Sequence, residues 1–240
     1  MSNLTQAAYE NIRRQIMAGE LNSATPVSEP ALARSLKISR TPIREAIHRL
    51  QSEGLLEQRP KSGTFVRVPT RAEMRDLYEL RILLEPHATA KAARKRTPAL
   101  LSELAELLTR MQDLGRRFLQ EPDRDLQTGM RRQHSACDHA FHEAILRQAG
   151  NARLLSVVGT AGILSLTLRI HNDRSREMLH QVITRTTRDH ARIFRAIEKG
   201  DASSARKAMR GHLLRSRQAM LDHYAWLEHE NKRADSDVPV

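Results

Sequence analysis

The chain has 240 residues, 40 Lys and Arg against 28 Asp and Glu, a formal charge of +12, and only 3% aromatic residues. A polycation of this size favours polyanionic partners, nucleic acid first. The single cysteine, Cys137, excludes an internal disulfide framework and any Cys-x-x-Cys zinc or redox pair. No apolar run approaches the ~18 residues of a membrane span, and the first residues lack a secretory apolar stretch. The expectation is a cytoplasmic protein with no membrane partner. Residues 1–70 hold ten Lys and Arg against six acids, and residues 71–240 hold thirty against twenty-two. The excess is spread along the chain, so DNA binding has to show itself in motif rather than in bulk charge.

Residues 4–18 place Ala8, Ile12 and Ile16 on one helical face. Gly19 ends that helix. Ser28 suits the N-cap of a short helix running to Leu36. Ser39 or Thr41 caps the next, with Pro42 in its first turn, where a missing N–H costs little. Ile43, Ile47 and Leu50 form its buried stripe, and Gly54 stops it. The period then changes. Residues 55–59 and 64–68 read as short strands around the turn Pro60-Lys61-Ser62-Gly63. Three helices and a hairpin in about 70 residues make a winged helix-turn-helix, here assigned to 1–69.

From Arg71 onward only helical patterns occur. Helices are predicted over 71–95, 98–119, 123–148, 151–171, 176–199 and 202–230. Thr97-Pro98, Gly150-Asn151 and Gly200-Asp201 punctuate them. The predicted fold is therefore mainly α, a winged helix-turn-helix followed by an all-α antiparallel bundle over 70–230, with a frayed tail at 231–240.

In the segment 39–46 the apolar stripe leaves Arg40, Thr41 and Arg44 at the outward N-terminal end of its helix. A recognition helix enters the major groove by that end. Arginine can bond guanine O6 and N7 together, and threonine can meet a phosphate or a thymine methyl. Lys61 and Gly63 suit the tip of a wing, a cation beside backbone that can approach DNA closely. A solvated basic helix end is the plainer reading of the same spacing.

The motifs are more specific than the spacing. Val-Ser-Glu-Pro-Ala-Leu-Ala at 27–33, Ile-Ser-Arg-Thr-Pro-Ile-Arg-Glu-Ala-Ile at 38–47, Glu-Gly-Leu-Leu at 53–56 and Gly-Thr-Phe-Val at 63–66 resemble the DNA-binding domain of the GntR family. The resemblance implies DNA-contact roles for Ser39, Arg40, Thr41, Arg44, Lys61 and Gly63. One position departs: the family's arginine after Ser-Glu is Pro30 here, so that contact is lost. Leu80-Arg81-Ile82-Leu83-Leu84-Glu85, Asp138-His139-Ala140-Phe141-His142 and the pair of helices bearing His190 and His212 resemble the ligand-binding domain of the FadR subfamily, in its shorter six-helix branch. That implies a small organic or sugar acid as effector.

Spacing adds a metal site to that picture. Asp138 and His142 are i and i+4 and share a helix face. His190 and His212 each lie eleven residues from Asp201, on core-facing stripes. In an antiparallel hairpin they stand at the same height. One carboxylate and three imidazoles suit a divalent metal, Zn²⁺ first, with Ni²⁺ or Mn²⁺ as alternatives. For any one of these residues alone, a hydrogen-bonded core role is the commoner outcome. His134, His139, His171 and His180 are assigned to solvated faces or a pocket rim, and Cys137 to packing. Arg81 has two readings, an anchor for the effector carboxylate or an ion pair with Glu85.

The expected function is a dimeric, sequence-specific transcriptional regulator, most simply a repressor, that binds double-stranded operator DNA and responds to an acid at a metal-containing pocket. The alternative is a metal-dependent hydrolase with a basic accessory domain. A single-strand binder is disfavoured, because the head offers only Tyr9 and Phe65 for stacking.

Overall fold

The computed structural model describes residues 3–170 and 176–236. Helix α1 (Asn3–Ala18) buries Ala8, Ile12 and Ile16 and stops at Gly19, whose φ of 69° is left-handed. The Ser28 hydroxyl accepts the Ala31 N–H at 3.2 Å and starts α2 (Glu29–Leu36). Pro30 fits near the start of α2, where its absent N–H has no helical partner to lose. Ser39 takes the extended N-cap backbone of α3 (Arg40–Ser52), though its side chain makes no capping bond. Pro42, Ile43, Ala46, Ile47 and Leu50 are buried on α3. Strands β1 (Leu56–Arg59) and β2 (Gly63–Val66) pair antiparallel, with Leu56 opposite Val66 and Arg59 opposite Gly63. The second strand thus begins one residue earlier and ends two earlier than its pattern suggests. The tight turn needs left-handed backbone at Lys61 (φ 60°) and positive φ at Gly63 (111°).

Six helices follow: α4 (Arg71–Arg94), α5 (Pro98–Gln120), α6 (Arg124–Gln148), α7 (Ala152–Ile170), α8 (Arg176–Glu198) and α9 (Ala202–Ser236). Five of them start on side-chain caps. A Thr70–Glu73 capping box opens α4, Thr97 opens α5, Asp123 opens α6, Asn151 accepts the Leu154 N–H at the start of α7, and Asp201 accepts the Ser203 and Ser204 N–H groups at the start of α9. The internal boundaries fall within a residue or so of those read from the punctuation. The C-terminus differs: α9 continues to Ser236, so residues 231–236 are helical rather than frayed, and 237–240 lie outside the described residues. Helix α9 packs along α4 and α8, and α5 packs along α6 and α8. Their shared core includes Met74, Tyr78, Phe141, Ile193 and Met209.

Head and bundle share more than a linker. Ile163 of α7 is 0% exposed and joins the head's core of Ile12, Ile16, Leu50 and Leu55. Covering such a side chain contributes about 1.5–3 kcal/mol. One turn earlier, a Cβ at Gly159 would stand 3.3 Å from Nη2 of Arg13 in α1, so the small residue admits the guanidinium. At the linker, the Tyr224 hydroxyl of α9 donates to the Pro69 carbonyl. Arg67 pairs with Glu73, and Arg71 with Glu228 at 3.2 Å.

Candidate functional site

The head presents its basic groups outward. Ser39, Arg40, Thr41 and Arg44 are all exposed at the start of α3, opposite the face that carries Ile43 and Ile47. Arg44 leans on Glu29 of α2 at 3.3 Å, but its side chain remains 60% exposed. An ion pair this open is worth about 0–1 kcal/mol, so a phosphate or guanine can displace it. Lys61 is exposed in the hairpin turn, and Gly63 is half-buried beside Pro26. Phe65 is buried, with the Arg59 guanidinium 4.3 Å above its ring. It holds the hairpin and is not offered for stacking.

In the bundle, α6 supplies Asp138 and His142, α8 supplies His190 and α9 supplies His212. All four are buried, and one ligand atom from each lies within 4.8 Å of the others. His142 Nε2 is 3.3 Å from His212 Nε2, and His190 Nε2 is 3.3 Å from an Asp138 carboxylate oxygen. What aims these nitrogens inward is a set of acceptors behind the rings. His142 donates its Nδ1–H to Glu85 of α4, and His190 donates its own to the Thr186 carbonyl at 2.8 Å. His212 turns Nδ1 toward Asp189, 3.7 Å away. Each Nδ1 thus faces an outer acceptor, which leaves the Nε2 lone pairs converging on one point, as in carboxylate–histidine–metal arrangements. His190 Nε2 is buried without a hydrogen bond. Such atoms are rare unless something binds them. Burial, reinforced by the neighbouring His212, pushes the His190 pKa well below its usual value and keeps the ring neutral. Among the described residues this donor set fits a divalent transition metal.

Two carboxylates behind the rings stay ionised. Burial opposes ionisation of Glu85, but Arg81 and His142 outweigh it and hold the carboxyl at about 2. Asp189 resists burial in the same way, held at about 2 by His212 and Arg215. Arg215 clasps Asp189 with contacts of 2.8 and 2.9 Å.

Arg81 corrects one expectation. It is buried, and its Nε is 2.5 Å from Glu85, so of its two readings the ion pair is the one realised. Its guanidinium steadies the carboxylate that orients His142 and is not among the residues lining the cleft. That cleft opens between α8 and α9, with His212 and Asp189 on its wall beside Arg185, Arg215, Val182 and Met220. Arg185 is exposed and has no ion-pair partner among the described residues. Sequence reasoning missed Glu85, Asp189, Arg185 and Arg215 as parts of the site. The only signals were Glu85 four residues after Arg81 and Asp189 beside His190.

His134 and His139 differ from expectation. Each is 5% exposed rather than solvated. His134 bonds the Thr187 hydroxyl at 3.1 Å. Burial, then the Arg13 and Arg81 charges, pushes His139 down to about 3. They fill the face of α6 that must pack on neighbouring helices. Cys137 is buried with Met111 and Phe118. His180 is half-buried, and His171 lies outside the described residues.

Comparison with known families decides what carries these parts. Residues 76–215 match the FCD domain, and residues 4–66 match the bacterial regulatory proteins of the gntR family. The chain belongs to the GntR family and carries an FCD domain. A Streptomyces ambofaciens HTH-type transcriptional regulator in an unstable DNA locus is 32% identical over 208 residues, 85% of this chain and 80% of that protein. The HTH-type transcriptional repressor RspR of Escherichia coli K12 is 27% identical over 213 residues, covering 88% and 86%. The E. coli McbR/YncC structure shares the fold at a TM-score of 0.74 and 21% identity, over 93% of this chain and 100% of that one. Membership of a family of transcriptional regulators excludes the hydrolase alternative. Among the described residues no helix is long and apolar enough to cross a membrane.

Proposed function

We propose that this GntR-family regulator is a homodimeric repressor whose hold on operator DNA is set by a small organic or sugar acid bound at a metal in the α8–α9 cleft. The observation that carries this reading is the convergence of three imidazoles and one carboxylate behind His212, which lines an arginine-bearing cleft. Asp138, His142, His190 and His212 hold the ion, Zn²⁺ or otherwise Ni²⁺ or Mn²⁺. The ion supplies open positions for carboxylate oxygens. Arg185, with no ion-pair partner among the described residues, adds a cation for a second anionic group, while Val182 and Met220 offer apolar wall.

The head does the reading. Arg40 and Arg44 meet base edges, Ser39 and Thr41 meet phosphate or sugar, and Lys61 and Gly63 follow the neighbouring groove or backbone. Pro30 gives no such contact. Two heads in a dimer reach successive major grooves about 34 Å apart, which calls for a pseudo-palindromic operator. Acid binding alters operator affinity by linkage, because the two conformations of the dimer differ in their hold on each ligand. Repression is the role named for the E. coli relative.

Selection of bound DNA from a random pool, repeated with Zn²⁺ and a panel of small acids, tests this reading. We expect a pseudo-palindrome whose retention shifts with at least one acid in a metal-dependent way. A pool that never converges removes the sequence-specific reading; a converged site indifferent to metal and acids removes the effector.

A further inference from the structure

Helix α9 joins three places. Near its first third it carries His212 of the metal-ligand set and Arg215, the clasp on Asp189. Midway it lines the cleft with Ala219, Met220 and His223. Immediately beyond stands Tyr224, 8% exposed, whose hydroxyl donates to the carbonyl of Pro69 in the linker. His212 and Tyr224 are twelve residues apart, about 18 Å along the helix at 1.5 Å per residue. Met220 lies one turn before Tyr224, and His223 precedes it directly. A molecule filling the cleft therefore presses on side chains of the same two turns that hold the tyrosine.

The far side of that hydrogen bond leads straight to the head. Pro69 is buried. Thr70 caps α4 in its box with Glu73, and Glu73 also takes the guanidinium of Arg67, one residue past β2. The linker is thus pinned by a short relay, Tyr224 to Pro69 and Glu73 to Arg67, with the wing at its end. Burial, then the nearby Glu73 charge, pushes the Tyr224 hydroxyl up to about 12, so it stays protonated and a donor near neutral pH.

We propose that Tyr224 is the coupling residue that transmits occupancy of the α8–α9 cleft to the linker and so to the placement of the DNA-binding head. This rests on the reading of the cleft as the effector site. It adds the route, which does not pass through the metal ligands themselves. Tyr224 positions the linker and touches no DNA.

A double-mutant cycle tests the route without any effector. Ala219→Phe fills the cleft from the α9 wall, and Val182→Phe, from a position 37% exposed, fills it from α8 should the first variant fold poorly. Each is combined with Tyr224→Phe, which keeps the ring and removes only the hydroxyl. Affinity for the selected operator is read for the wild type, both single variants and the double variant. We expect cleft filling to change operator Kd by about tenfold with Tyr224 present, the ordinary range of allosteric coupling, and by less than about twofold in the Phe background. Hydrogen exchange supplies a second reading: Tyr224→Phe should speed exchange at the amides of 67–74 and leave the amides of α6 unchanged. Additive effects in the cycle, a filled cleft without effect on operator binding, or unchanged exchange at 67–74 would each overturn the proposal. Calorimetric titration of the Zn²⁺-loaded wild type with the acid panel judges the effector reading separately, since it does not involve the tyrosine.

Discussion

Glu85 of α4 and His142 of α6 share a hydrogen bond across 57 residues of sequence, with His142 Nδ1 as donor. That bond fixes the tautomer of the ring and leaves Nε2 free to face His190, His212 and Asp138. Arg81, one turn before Glu85, neutralises the carboxylate at 2.5 Å. The site is therefore shaped from behind, by residues that never reach its centre.

Removing the ligands should remove the ion. The His190→Ala/His212→Ala variant is expected to carry no Zn²⁺ by elemental analysis while its metal-free form still binds operator DNA. Undiminished metal content would sink the assignment.

The orienting carboxylate should matter less than a ligand, yet measurably. Glu85→Gln keeps the shape but weakens the hold on the imidazole, and outer-sphere changes of this kind cost about 10–100-fold in metal affinity. Competition against a chelating dye reads this directly. Wild-type affinity would mean that Glu85 serves only as a partner for Arg81.

Arg81→Ala is a stability prediction. It strands Glu85 as a buried carboxylate that keeps only His142, and breaking a buried pair in this way costs about 3–5 kcal/mol. Urea unfolding of the metal-free protein provides the check. A loss below about 1 kcal/mol, the value of an exposed pair, would show that the two charges are not desolvated as they appear here.

Arg40→Ala and Arg44→Ala should each weaken operator binding by about 1–3 kcal/mol and relax base preference at one position per half-site. Both side chains are exposed, so folding should be untouched. An Arg44 variant that binds like the wild type would remove α3 from the groove.

Gly200 links α8 to α9 with φ 73°, a left-handed backbone in which an L side chain is strained. Gly200→Ala should therefore cost more than about 1 kcal/mol by thermal or urea unfolding. Because the turn sets the relative height of His190 and His212, metal affinity should fall with it. Wild-type stability would show that the turn tolerates a side chain.

Local rules made much of this protein legible in its sequence. Caps at Ser28, Thr70, Thr97 and Asp123, glycines at 19, 54, 150 and 200, and the four-residue stripes on the helices depend on neighbours a few positions away, so spacing is enough to place the elements. The same holds for the Asp138–His142 face. Even His190 and His212 could be matched, because a tight antiparallel hairpin turns equal distance from its turn into equal height. What only the tertiary structure decided lies where helices far apart in sequence meet. It gave Glu85 to His142 and Asp189 to His212, turned Arg81 inward, and buried His134 and His139. It also set Arg185 and Arg215 on a cleft, seated Ile163 in the head and tied Tyr224 to Pro69. A helical period says which face is covered but not which neighbour covers it. Rings, charges and hydroxyls on such a face take their roles from that neighbour.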